Sequence, residues 1–219
     1  MERSIDAVLF DLDGLMVDTE SISGNAWRLA GQELGVVVPE EMILGMVGLS
    51  VTLSVAYAAR YLGDSALAEQ LSQAGRRHYH RQLQEGELNL KNGIENVLDW
   101  VVSVELPRAV ATSTQRKLAD IKLQRTGLSR YFDVTVAGDE VEHPKPHPDI
   151  YLTAARRLKV APERCLVLED SLYGMQAALA AGMRVIVVPD MVTPPAHATT
   201  GALAVCADLH QALTLLRQL

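Results

Sequence analysis

Five short, largely apolar runs punctuate the chain: "AVLF" (Ala7–Phe10), "RAVA" (Arg108–Ala111), "VTVA" (Val134–Ala137), "CLVL" (Cys165–Leu168) and "RVIVV" (Arg184–Val188). Their apolar residues are consecutive rather than alternating, the pattern of strands covered on both faces of a parallel sheet. Segments of helical periodicity stand before the later four: "IENVLDWVVSV", "QRKLADIKLQRTG", "PDIYLTAARRLK" and "GMQAALAAG". This alternation predicts an α/β fold, a Rossmann-like parallel sheet core flanked by helices.

One interval breaks the rhythm. From Asp18 to about Glu87 the pattern is helical throughout, in "SGNAWRLAGQELG", "PEEMILGMVG", "SVTLSVAYAARYLG" and "SALAEQLSQAGRRHYHRQLQEG". Gly35, Gly63 and Gly86 stand where left-handed C-terminal caps are needed, and Ser50 or Ser65 where an N-cap is. The expected organisation is a catalytic core of residues 1–16 and 88–219, with an inserted α-helical cap domain over residues 17–87.

Composition narrows the class. With 48% hydrophobic and 21% charged residues over 219 positions, the chain is globular and long enough for a full core. A net charge of −7 suits no phosphate backbone, so nucleic acid is not an expected ligand. No run approaches the roughly 18 apolar residues of a membrane helix, and "MERSIDAVLF" lacks the regions of a signal peptide. The expectation is a cytoplasmic protein without a membrane partner. Cys165 and Cys206 are too far apart for a metal knuckle, and Cys165 reads as a core thiol.

The chemistry gathers at the strand ends. Asp11 and Asp13 follow the first strand, with Gly14 beside them to permit a tight turn. The second strand ends in "ATSTQ", where Thr112, Ser113 and Thr114 offer hydroxyls and N–H groups ahead of a helix, a ready anion site. In "HPKPHP" Lys145 lies between prolines that stiffen its backbone. His143 and His147 read as ordinary polar loop residues, since no Cys or other His has metal-ligand spacing to them. "CLVLEDS" places Glu169 and Asp170 at another strand end, before Ser171. Parallel strands share one carboxyl edge, so these groups are expected to converge there. Carboxylates with one lysine suit a hard divalent cation such as Mg²⁺ together with a phosphate.

In that order "DLDGLMVDTE", "ATST", "KPHPDIY" and "LEDSLYG" resemble the four motifs of the haloacid dehalogenase-like superfamily of phosphohydrolases, over nearly the whole chain. The pattern is most similar to the helical-cap subgroup containing beta-phosphoglucomutase and the sugar-phosphate and phosphoglycolate phosphatases. The resemblance implies that Asp11 attacks phosphorus and Asp13 acts as general acid and then base. It implies that Mg²⁺ is held by Asp11, the Asp13 carbonyl and Asp170, with Glu169 in its outer shell. Thr112 and the Ser113 N–H would hold phosphoryl oxygens, and Lys145 would serve both phosphate binding and catalysis.

The implied activity is a Mg²⁺-dependent phosphatase of a small phosphorylated metabolite (sugar, polyol or phosphoglycolate-like), acting as a monomer through an aspartyl-phosphate, with the cap setting specificity. Dehalogenases of the superfamily lack an acid at the position of Asp13. Where beta-phosphoglucomutase carries a histidine and an arginine in its cap, spacing puts Ser23 and Val51, which favours a hydrolase over a mutase. A phosphomutase stays an alternative, as does a receiver-like signalling module, which also sets Asp, Thr or Ser and Lys around Mg²⁺.

Overall fold

The parallel sheet is present and has six strands: β1 (Ala7–Phe10), β2 (Arg108–Ala111), β3 (Val134–Val136), β4 (Cys165–Glu169), β5 (Arg184–Val187) and β6 (Ala204–Val205). In this computed structural model, which describes residues 4–219, they lie in the order β3-β2-β1-β4-β5-β6, every pairing parallel. The sixth strand was not expected. It has two half-exposed residues at the sheet edge, too short for a periodic signal.

Side chains alternate across the sheet, so β1 feeds both layers. Val8 and Phe10 pack with α5 (Ile94–Ser103), α6 (Arg116–Arg125) and α9 (Leu209–Leu216) on one face. Ala7 and Leu9 pack with α7 (Asp149–Leu158) and α8 (Leu172–Ala180) on the other. All four β1 residues are 0% exposed, which is why the run is uniformly apolar.

The chain divides into two compact units, Met1–Val17 with Asn89–Leu219, and Asp18–Leu88. Each junction lies one residue beyond the expected one. The second unit is all helix: α1 (Thr19–Leu34), α2 (Glu40–Leu44), α3 (Val51–Leu62) and α4 (Ser65–Glu85), around a core of Trp27, Ala30, Met42, Ile43 and Leu71. Ser50 caps α3 by accepting from the Leu53 N–H (3.4 Å), but Asp64, not Ser65, caps α4, accepting from Leu67 at 2.9 Å. Gly35 and Gly63 are left-handed (φ 71° and 68°). Gly86 is extended instead (φ −83°, ψ 179°), and its N–H still donates to the Gln82 carbonyl, so the helix ends without a left-handed residue. In the first unit Val17 bridges Leu90 and the Lys91 N–H donates to the Met16 carbonyl at 2.9 Å. No helix among the described residues is long and apolar enough to cross a membrane.

Candidate active site

The strand order reverses direction at β1, between β2 and β4, the position where open α/β sheets bind ligands beyond their carboxyl ends. Asp11 leaves β1 there, its N–H bonded to the Leu168 carbonyl of β4 at 3.1 Å. The Lys145 ammonium donates to Asp11 Oδ1 (2.6 Å), Glu169 Oε1 (2.6 Å) and the Ala111 carbonyl at the end of β2 (3.1 Å). One buried cation thus ties together the ends of three adjacent strands. Its Nζ lies 4.9 Å from the Tyr151 ring centroid. The Lys145–Pro146 peptide bond is cis.

Glu169 is fully buried and also accepts from Tyr151 Oη (2.9 Å), the Ser171 N–H (2.8 Å) and Ser171 Oγ (2.9 Å). Carboxylate oxygens of Asp11, Glu169 and Asp170 lie within 4.8 Å of one another. Gly14, at φ +77°, presents its Hα face to the Asp170 carboxylate, where any Cβ would collide with it. Asp13 is held separately: its Oδ2 accepts from Thr114 Oγ1 (2.6 Å) and Thr112 Oγ1 (3.3 Å), and its Oδ1 from the Lys122 ammonium.

The haloacid dehalogenase-like hydrolase family matches residues 8–188, well over half of the sequence. The chain belongs to that family. A phosphorylated carbohydrates phosphatase of Thermotoga maritima is 34% identical over 183 residues, 82% of either chain. The fructose-1-phosphate phosphatase YqaB of Escherichia coli is 34% identical over 181 residues, 80% of this chain and 92% of its own. Among solved structures, a HAD family hydrolase of Deinococcus radiodurans with bound phosphate and sodium superposes at TM-score 0.79, with 27% identity over 100% of this chain and 99% of its own.

In this haloacid dehalogenase-like hydrolase the expected site residues come together on one sheet edge, with two changes. The Thr114 N–H is already taken by Thr112 Oγ1 (3.1 Å) and the Arg116 N–H by Asp139 Oδ1 (2.8 Å), so the start of α6 is less open to an anion than its sequence implied. Ser113 is exposed at the strand end. Sequence reasoning also missed three residues, Lys122, Tyr151 and Asp190. Lys122, 1% exposed, sits on the buried face of α6 with Ala119 and Leu123, and a lysine in that apolar stripe was the available signal. Tyr151 looked like a core aromatic of α7. Asp190 lies three residues beyond the end of β5 and pairs with Lys91. Its Oδ2 is buried without a hydrogen-bond partner among the described residues and lies on the same side of Gly14 as Asp170.

Protonation within the buried triad follows from the donor count. Burial pushes the Asp11 carboxyl up to about 7; the Lys145 charge opposes this, and Glu169 and Asp13 add to it. Glu169 is also desolvated, yet Lys145, Ser171 and Tyr151 together hold it below the usual range. Burial disfavours the Lys145 charge, but Asp11 and Glu169 outweigh it and hold the ammonium well above its ordinary value. The exchangeable proton therefore belongs to Asp11.

The sign of the linkage is fixed by this. A carboxyl titrating near 3.8 unfolded and about 7 folded favours folding fully below 3.8, and that contribution is lost as pH rises through about 7. Urea melts in EDTA should show the wild type losing about 1.4 kcal/mol per pH unit relative to Asp11→Asn between about pH 5 and 7. Parallel profiles for the two proteins would place the proton elsewhere.

Proposed function

We propose that this hydrolase is a phosphatase of small phosphorylated carbohydrates that passes the phosphoryl group first to Asp11 and then to water. The observation that carries the reading is the buried Lys145 ammonium, 2.6 Å from Asp11 Oδ1 on a strand tip that also presents Asp13. The names of the Thermotoga and Escherichia relatives support the substrate class.

The residues present fit a divalent cation. All donors are hard oxygens, the class that Mg²⁺ prefers. Around the site the acids Asp11, Asp13, Glu169, Asp170 and Asp190 face the ammonium groups of Lys91, Lys122 and Lys145, an excess of two negative charges once Asp11 has lost its proton. The unpartnered Asp190 Oδ2 reports the same deficit. Asp11, Asp170 and the Asp13 carbonyl would hold Mg²⁺, with Glu169 behind them. When bound, the ion would neutralise negative charge on the phosphoryl oxygens.

Chemistry by the chain's own residues then runs as follows. An Asp11 carboxylate oxygen attacks phosphorus as the ester P–O bond breaks, and the departing alkoxide takes a proton from Asp13. Asp13 next accepts a proton from water as that water attacks phosphorus, which releases phosphate and restores Asp11. Thr112 and Thr114 orient Asp13, while Lys145 balances charge on Asp11 and on the incoming dianion. Ser23 and Val51 bring no charge for a second phosphate, which favours water over a sugar hydroxyl as acceptor. We assign substrate choice to the helical unit on the family resemblance.

Phosphate release from a panel of esters (hexose 1- and 6-phosphates, fructose 1-phosphate, glycerol phosphate, phosphoglycolate) tests this. The expected result is the highest kcat/KM for a sugar phosphate, at least about 10-fold above phosphoglycolate, and loss of turnover in EDTA. Release from none of the esters with Mg²⁺ present would overturn the assignment.

A further inference from the structure

The segment that delivers Lys145 carries a second group of donors on its outer side. His143 Nδ1 lies 3.0 Å from Asp149 Oδ2, and His147 Nδ1 lies 2.9 Å from Asp149 Oδ1. One carboxylate thus faces two imidazoles, whose ring centroids are 4.4 Å apart at 36°. One donor atom from each of the three residues lies within 4.8 Å of the others. We propose that His143, His147 and Asp149 form a second cation site, for a borderline divalent ion of the zinc, nickel or copper class, distinct from the oxygen cluster around Asp11.

The donor chemistry sets the ion class. Two imidazole nitrogens and one carboxylate oxygen select zinc, nickel or copper, whereas the all-oxygen set at Asp11 selects magnesium. A tetrahedral ion with bonds of about 2.0–2.1 Å needs donors about 3.3 Å apart. Each ring nitrogen stands near that separation from its own carboxylate oxygen, His143 from Oδ2 and His147 from Oδ1, so an ion between the rings would draw on both oxygens of Asp149 or on one after a small rotation of its carboxylate. Binding needs only that each neutral ring carry its hydrogen on Nε2, which frees Nδ1. The His143 backbone N–H donates to Asp149 Oδ2 at 3.2 Å, a bond that keeps the third donor in place whichever ring nitrogen carries the hydrogen.

Preorganisation sets the cost of ordering. Pro144, Pro146 and Pro148 alternate with His143, Lys145 and His147, and Asp149 is the first residue of α7, so little backbone freedom remains to be lost on binding. The two histidine side chains are 53% and 48% exposed, which leaves an entry path and positions for water ligands. An ion here would bridge the residues on either side of Lys145, and so hold the segment that places its ammonium on Asp11 and Glu169. The sequence showed only a pair of histidines; the turn brings Asp149 between them.

Copper as a spectroscopic probe separates this site from the other. One equivalent of Cu²⁺, added to the full chain with excess Mg²⁺, should give an EPR spectrum with nitrogen coupling from two imidazoles. His143→Gln and His147→Gln should each reduce it to one nitrogen and weaken Cu²⁺ binding at least about 10-fold. The double variant should lose both the nitrogen coupling and the rise in melting temperature that Zn²⁺ gives the wild type. Circular dichroism checks that the variants are folded. An oxygen-only spectrum, or nitrogen coupling that survives in the double variant and so comes from other histidines, overturns the proposal. Neither readout uses phosphatase turnover, so this result stands apart from the assignment of activity.

Discussion

Asp11→Asn is expected to stop phosphate release, by about 10⁴-fold or more, while leaving a folded protein. The amide is nearly isosteric with the carboxyl and its oxygen can still accept from Lys145, so the packing at the end of β1 is kept. What disappears, on the proposed covalent scheme, is the nucleophile. Because the Asp11 carboxyl already sits at about 7 in the metal-free protein, removing its charge should not weaken the fold at neutral pH and should strengthen it at pH 8. Rapid acid quench of a reaction with labelled sugar phosphate should trap label on the wild-type chain and none on the variant. An Asp11→Asn protein that turns over at more than about 1% of the wild-type rate would end the covalent scheme.

Lys145→Met should damage stability and activity together. Its ammonium, 5% exposed, separates two buried carboxylates, and removing one partner of a buried ionic group costs about 3–5 kcal/mol because the remaining charges stay unpaired. Without the ammonium that lowers both acids, the variant must take up protons to fold, which is easier at low pH, so the loss should be larger at pH 8 than at pH 6. Turnover should fall by about 10³-fold or more at either pH, since a preorganised charge beside the transferring group is gone. The double variant Lys145→Met with Glu169→Gln should regain much of the stability and none of the activity. Urea melts and phosphate release measure the two effects, and a single variant as stable as wild type at pH 8 would contradict the buried triad.

Most of the sheet was legible because β1 and β4 are buried throughout, and β2 and β5 are after their first residue, and so must be apolar at successive positions. The strand-end acids, hydroxyls and Lys145 were legible for a related reason: polar groups abutting such runs stand out. Tyr151 did not stand out because it fits the apolar period of α7, and Lys122, although it interrupts the apolar stripe of α6, reaches Asp13 only through the packing of that helix on the sheet. Asp190 was hidden because it lies in the irregular segment after β5, three residues past the strand end rather than directly on it. Gly86 shows the opposite failure: a glycine after a helix suggests a left-handed cap, but α4 ends without a left-handed residue. The partnership of His143, His147 and Asp149 depends on a turn whose closure no spacing rule announces.

The placement of β1 between β2 and β4 also governs when the protein can become active during its synthesis. β1 is made first, but Val8 pairs with Arg108 on one side and with Leu166 on the other, so its neighbours emerge from the ribosome only much later. Until Glu169 has been translated, Lys145 lacks one of its two counter-ions and the acids at the tip of β1 stay in water. Such long-range parallel pairing is slow to form. The nascent chain therefore cannot complete the charge cluster piecemeal, and a fragment ending before β4 would carry Asp11 and Lys145 without Glu169 and Asp170.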